Sequence, residues 1–189
     1  MGDSRFAFEP QTTVGQLMQP AVVVRPPREH PKEIMPQSRI LFVCLGNTCR
    51  SPMAEGLFRH FAAERDLIDS VLIDSAGTGR WHVGEPPNGH AIAAMQQRGI
   101  DISDCRARQI ADEDFTTFDL IIAMDKAIDR LLRHRAPHGT EDRIRMLLDF
   151  APEAPAREIA DPYHRGSNAY ATTLDLLDRG ARGLIAHLS

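Results

Sequence analysis

Apolar residues follow two alternating rhythms along this chain. Ile40-Leu41-Phe42-Val43 and Leu120-Ile121-Ile122-Ala123 are unbroken apolar runs, the pattern of strands buried on both faces. After the first run the spacing changes: Met53, Leu57 and Phe61, with Phe58 beside them, mark one face of a helix. Pro52 would take its first helical position, where a missing N–H costs nothing. Val71–Ile73 reads as a second strand running into Ser75-Ala76-Gly77-Thr78-Gly79, a stretch suited to a tight loop. A helix over 88–98 closed by Gly99, another near 126–135, and a fourth strand within 143–148 follow. Leu174, Leu177, Ala181, Leu184 and Leu188 complete the chain with a long helix over 169–188. Such alternation predicts an α/β three-layer sandwich, a four-stranded parallel sheet with helices on both faces. Ligands of such sheets bind beyond the carboxyl ends of the strands. Cys44 and the Ser75–Gly79 loop fall at that edge.

Residues 1–38 break this rhythm. Prolines at 10, 20, 26, 27, 31 and 36 interrupt every helical or strand period. The segment reads as a flexible arm, with Val22-Val23-Val24 as its one apolar cluster and a protein contact as its alternative use. A length of 189 residues suits this arm plus one domain over 39–189. A net charge of −4 is mild and argues against a nucleic-acid partner. No apolar stretch reaches the roughly 20 residues of a membrane span. Three cysteines make no disulfide framework, which points to a reducing, cytoplasmic setting.

The chemistry concentrates in Cys44-Leu45-Gly46-Asn47-Thr48-Cys49-Arg50-Ser51-Pro52, between the first strand and the first helix. A helix start presents unpaired N–H groups and a positive dipole end, which favour anions and favour a thiolate over a thiol. Successive N–H groups from Leu45 to Arg50 could turn inward around a phosphate. Gly46 is expected to take a backbone conformation closed to other residues, and Asn47 tolerates left-handed dihedrals. Arg50 offers a planar fork for two phosphate oxygens. Ser51 could donate its hydroxyl to Cys44. A lone cysteine in such a turn is ordinarily a packing residue. Glycine, asparagine, arginine and serine at these spacings set the phosphate-cradle reading above it.

A thiol nucleophile needs an acid for the departing oxygen. Asp161-Pro162-Tyr163 lies on a proline-stiffened loop before the last helix, where the sheet edge could bring it opposite Cys44. Taken alone, Asp-Pro is a common turn start.

The segment Val43 to Glu55 resembles the signature of the low-molecular-weight protein tyrosine phosphatases. Ser75-Ala76-Gly77-Thr78-Gly79 with Trp81-His82-Val83-Gly84, Ala107-Arg108-Gln109-Ile110 and Asp161-Pro162-Tyr163 continue the match in family order. The resemblance covers roughly 39–189. It implies that Cys44 attacks phosphorus, forming a phosphocysteine. Arg50 and the amides of Leu45, Gly46, Asn47, Thr48, Cys49 and Ser51 would hold the phosphate oxygens. Asp161 would protonate the leaving oxygen and later activate water, while Trp81 and Tyr163 would wall the substrate ring. It implies no metal and no organic cofactor, and a phosphorylated protein as substrate.

Three positions depart from that pattern. His164 follows Tyr163 where many relatives carry a second aromatic residue, implying a more polar rim. Cys105 stands where many carry a histidine that braces the loop asparagine, which puts the bracing of Asn47 in question. Thr48 resembles the arginine-phosphatase branch of the family, whereas Trp81 and Tyr163 favour phosphotyrosine. Cys49 lies five residues from Cys44, close enough for a regulatory disulfide, with simple packing as the alternative. The eight histidines show no ligand spacing, and only His82 and His164 read as rim contacts. An arsenate reductase would need more relay cysteines than Cys105 supplies. A non-catalytic phosphate-binding module would ordinarily have lost the nucleophile or the acid.

Overall fold

Four parallel strands form one sheet in the order β2-β1-β3-β4: β1 Ser38–Cys44, β2 Val71–Gly77, β3 Leu120–Ala123 and β4 Ile144–Met146. The computed structural model describes residues 38–188, so the readings made for 1–37 lie outside the described residues. The helices are α1 Arg50–Glu64, α2 Gly89–Gln96, α3 Asp114–Thr117, α4 Lys126–Arg135 and α5 Gly166–Leu188.

Alternation along β1 divides the core between two faces. Ile40 and Phe42 pack with Met53, Leu57, Phe58 and Phe61 of α1 and with Leu174, Leu177, Ala181 and Leu184 of α5. Leu41 and Val43 face the other way, onto Phe115 of α3 and Ile128 and Leu132 of α4. The three-layer sandwich read from the sequence is therefore the observed one. After β1 the chain leaves toward the α1–α5 face, and after β3 toward the α4 face. The crevice between the carboxyl ends of β1 and β3 is the point where the connections diverge, and it is where a ligand site belongs.

Several boundaries differ from the sequence pattern. α1 begins at Arg50, so Pro52 is its third residue instead of its first. Proline is tolerated there because the first turn's N–H groups have no intrahelical acceptor in any case. β2 continues through Ser75-Ala76-Gly77, expected as loop, because these residues pair with Phe42, Val43 and Cys44 of β1. Pairing with a central strand overrides the weak strand preference of small residues. α5 starts at Gly166, three residues before the expected start at 169, where His164 and Gly166 both have positive φ. Asn88 caps α2 by accepting from His90 N–H at 2.9 Å, and Gly99 ends that segment with φ +73°.

Candidate active site

Cys44 is the last residue of β1 and is 2% exposed. Its Sγ lies 3.0 Å from the Ser51 hydroxyl and accepts the Asn47 N–H at 3.3 Å. Both partners sit on the turn from β1 into α1, whose start carries no side-chain cap from the described residues. The helix dipole therefore acts on the loop without a competing side-chain acceptor. Neighbouring strand ends fix the turn from the side. Thr78 N–H donates to Cys44 O at 2.9 Å, and Gly79 N–H to Leu45 O at 2.8 Å. A side chain at Gly77 would reach within 3.0 Å of Asn47 N and Leu45 O, so the two backbones meet only because this residue is glycine.

The left-handed residue of the turn is Asn47, with φ 54°, and not Gly46 as expected. Gly46 leaves room for His82: a Cβ there would lie 3.2 Å from that ring, which would have to shift by a few tenths of an ångström. Asn47 is held from three sides. Its Nδ2 donates to Ser51 Oγ at 3.0 Å and to Ser75 Oγ at 2.9 Å, while its Oδ1 accepts Arg108 N–H at 2.8 Å. These bonds answer the question raised by Cys105: the bracing of Asn47 comes from Ser75 and the Arg108 backbone. Arg108 is itself anchored, since its guanidinium pairs with Asp74 and Asp114, each at 2.8 Å. Cys105 lies near Glu55, and burial reinforced by that carboxylate pushes its thiol up to about 11.

Arg50 is 2% exposed, an unusual burial for a guanidinium. Its NH1 donates to Asp125 at 2.5 Å and to Ile159 O at 3.0 Å, and its NH2 donates to Asp161 at 2.6 Å. Burial works against the charge, but the charges of Cys44, Asp161 and Asp125 outweigh it and raise the guanidinium above its ordinary range. Nε is buried without a hydrogen-bond partner among the described residues, which leaves one donor of the guanidinium unused. Asp161 reaches the site because its loop is fastened to the end of β3: Ile159 N–H donates to Met124 O at 2.9 Å. The Asp161 Oδ1 accepts Tyr163 N–H at 3.1 Å, fixing the carboxylate's aspect toward the crevice.

A cavity of about 180 Å³ opens above the thiol, lined by Cys44, Thr48, Trp81, His82, Asp161 and Tyr163 among others. Trp81 is 68% exposed, so it is not a core residue. Tyr163 is half-exposed, with His164 against its edge at 4.3 Å and His82 at 6.0 Å. Thr48 is buried, with its hydroxyl 3.8 Å from Cys49 Sγ. Cys49 also lies 3.3 Å from the Tyr170 hydroxyl, and burial pushes its thiol up to about 11. All three cysteines are free thiols.

The residues singled out from the sequence thus converge on one crevice. Asp125 is the site residue that sequence reasoning misses. It follows β3 at the carboxyl edge and caps α4 by accepting Ile128 N–H at 2.8 Å, so in the sequence it reads as a helix start. Its place at the sheet edge that holds Cys44 is the available signal.

A buried thiol under an arginine fork, with a carboxylate across the crevice of a parallel sheet, is the arrangement of a cysteine-dependent phosphatase. The family model described as low molecular weight phosphotyrosine protein phosphatase matches residues 39–189. The chain belongs to that family. It is 38% identical over 149 residues to the low molecular weight protein-tyrosine-phosphatase YfkJ of Bacillus subtilis, covering 79% of this chain and 94% of that protein. The human low molecular weight phosphotyrosine protein phosphatase is 34% identical over 148 residues, covering 77% of this chain and 92% of that one. Among solved structures, a protein tyrosine phosphatase from Entamoeba histolytica with Hepes in its active site superposes with a TM-score of 0.77. It is 32% identical, covering 80% of this chain and 96% of that chain. The YfkJ crystal structure superposes with a TM-score of 0.75 at 37% identity, covering 82% of this chain and 94% of that chain.

Proposed function

We propose that this enzyme hydrolyses phosphotyrosine in proteins, and aryl phosphates generally, through a phosphocysteine. The observation that carries this reading is the exposed Trp81 and half-exposed Tyr163 at the mouth of the cavity whose floor is Cys44. Two aromatic walls suit a flat phosphorylated ring.

Cys44 Sγ attacks phosphorus in line, forming the S–P bond as the ester P–O bond breaks. Asp161, in its acid form, gives its proton to the leaving oxygen. Substrate phosphate displaces Asp161 from Arg50 NH2 and takes up Nε, so the fork holds two oxygens and the acid is released toward the leaving group. Asp161 then takes a proton from water, which attacks phosphorus and releases phosphate and the Cys44 thiolate. Ser51 and the Asn47 N–H stabilise that thiolate as it departs. Leu45, Gly46, Thr48 and Cys49 shape the phosphate pocket. The residues in reach supply nucleophile, acid and charge stabilisation.

Thr48 supports a second reading, protein-arginine phosphatase activity, because it is buried in the lining of the same cavity. Parallel kinetics on phosphotyrosine and phosphoarginine peptides test the choice. The phosphotyrosine reading expects the higher kcat/KM on phosphotyrosine and no turnover by Cys44→Ser. Preference for phosphoarginine, moved toward phosphotyrosine by Thr48→Ile, would establish the second. Asp161→Asn should slow substrates with poor leaving groups most; an equal loss on all substrates would remove Asp161 from the acid role.

A further inference from the structure

Beside the phosphate cavity lies a second, smaller one of about 60 Å³, lined by Thr48, His82, Glu85, Pro86, Asn88 and Tyr163. Thr48, His82 and Tyr163 border both, so they form the partition between them. The smaller cavity is built by ordered backbone. Asn88 N–H donates to Thr48 O at 2.8 Å, tying its far wall to the phosphate loop. Glu85 N–H donates to His82 O at 2.9 Å, and Ala107 N–H to Glu85 O at 2.9 Å. Glu85 Oε2 lies 2.7 Å from His82 Nδ1, so the side chain is held over the cavity with its second oxygen unused by that bond.

The carboxylates at the two cavities are differently engaged: Asp161 at the first is paired with Arg50, whereas Glu85 at the second meets only His82 among the described residues. Among the described residues no lysine or arginine lines the smaller cavity, so Glu85 is free to meet an incoming cation there. The Tyr163 ring and Pro86 give the smaller cavity apolar sides, suited to a methylene stem, and an aromatic face attracts a cation. Its volume is about that of two liquid waters, enough for an ammonium or the end of a guanidinium but not for a large ring.

We propose that this cavity is a substrate subsite that receives a lysine or arginine side chain flanking the phosphorylated tyrosine, with Glu85 as its counter-charge. The inference rests on the phosphotyrosine reading above. Glu85 is more than half exposed, so the pair it forms is worth the modest amount of a surface ion pair, about fivefold in kcat/KM at most. Because the contact is the same in ground and transition states, the preference falls on KM and leaves kcat in place.

The test compares peptides that differ only in the residues on either side of phosphotyrosine, carrying lysine, alanine or glutamate there. The intact enzyme should prefer the lysine peptide over the glutamate peptide by about fivefold, through KM, and less so as salt is raised. Glu85→Gln should bring that ratio near one, and Glu85→Lys should invert it. The ratio is taken within each variant, so a variant's overall activity does not enter it. If neither variant folds, the ratio in the intact enzyme and its salt dependence still decide the matter. A ratio near one, a preference for glutamate, or an undiminished lysine preference in Glu85→Gln would overturn the proposal while leaving the phosphotyrosine reading intact. Turnover of phosphoarginine but of no phosphotyrosine peptide would overturn both.

Discussion

The Arg50 guanidinium is oriented by Asp125, whose Oδ2 lies 2.5 Å from NH1 while its Oδ1 caps α4. One carboxylate therefore joins the phosphate loop after β1 to the helix after β3. Asp125→Asn keeps an acceptor for the helix cap and removes the charge beside Arg50. Its kcat/KM on an aryl phosphate should fall by about tenfold to a hundredfold, as for loss of one oriented stabilising group. Asp125→Ala should lose as much activity and, by losing the cap, a further 1 kcal/mol or so of stability. Steady-state kinetics and thermal unfolding of both variants check this; unchanged kcat/KM in Asp125→Asn would deny Asp125 its orienting role.

Asn47 combines a left-handed backbone with three side-chain hydrogen bonds. Asn47→Ala loses the bonds and keeps the strain, so it should cost on the order of 2–3 kcal/mol. Asn47→Gly loses the same bonds but takes the dihedral freely, and should recover about 1 kcal/mol of that. Denaturant midpoints of the pair separate the two contributions. Equal stabilities would mean that the dihedral carries no strain.

Two close-packed glycines make a contrasting pair. A Cβ at Gly79 would overlap the Trp81 ring, and one at Gly183 the backbone carbonyl of Phe150. Trp81 is exposed and free to swing, so Gly79→Ala should leave stability within about 0.5 kcal/mol. It should shift KM for aryl substrates by displacing the aromatic wall. At Gly183 the obstacle is main chain, and the alanine should destabilise by about 1–3 kcal/mol without altering KM. A KM change in Gly183→Ala and none in Gly79→Ala would reverse the assignment.

Burial holds the Cys49 thiol at about 11, against the ordinary 9.0 of an exposed thiol. The folded state then keeps a proton that the unfolded state gives up as pH rises. The stability tied to this thiol is fully present below about pH 9 and is lost progressively up to about pH 11. Over that window the loss is on the order of 3 kcal/mol. Cys49→Ser should lack this part of the alkaline slope. Parallel slopes for parent and variant between those pH values would show that Cys49 does not titrate on unfolding.

The cysteine loop is legible in the sequence because chemistry dictates its residue types at fixed short spacing: thiol, glycine, asparagine, arginine and serine within one turn. The strands β1 and β3 are legible for a different reason, since burial on both faces leaves an unbroken apolar run. Boundaries are less so. Ser75-Ala76-Gly77 has the composition of a loop and becomes strand only through pairing with Phe42-Val43-Cys44.

What the sequence determined by itself, then, was the local chemistry: a nucleophile, a phosphate fork and an acid on a stiff turn, with helices and strands enough to display them. The tertiary structure alone decided which side chains hold that chemistry in place. Asp125 meets Arg50 across 75 residues, and Arg108 meets Asn47 across 61. No local period encodes such contacts, because they follow from the order in which parallel strands are laid side by side. The approach of His82 to Tyr163, with ring centroids 6.0 Å apart, belongs to the same class, made when separate loops meet at one sheet edge.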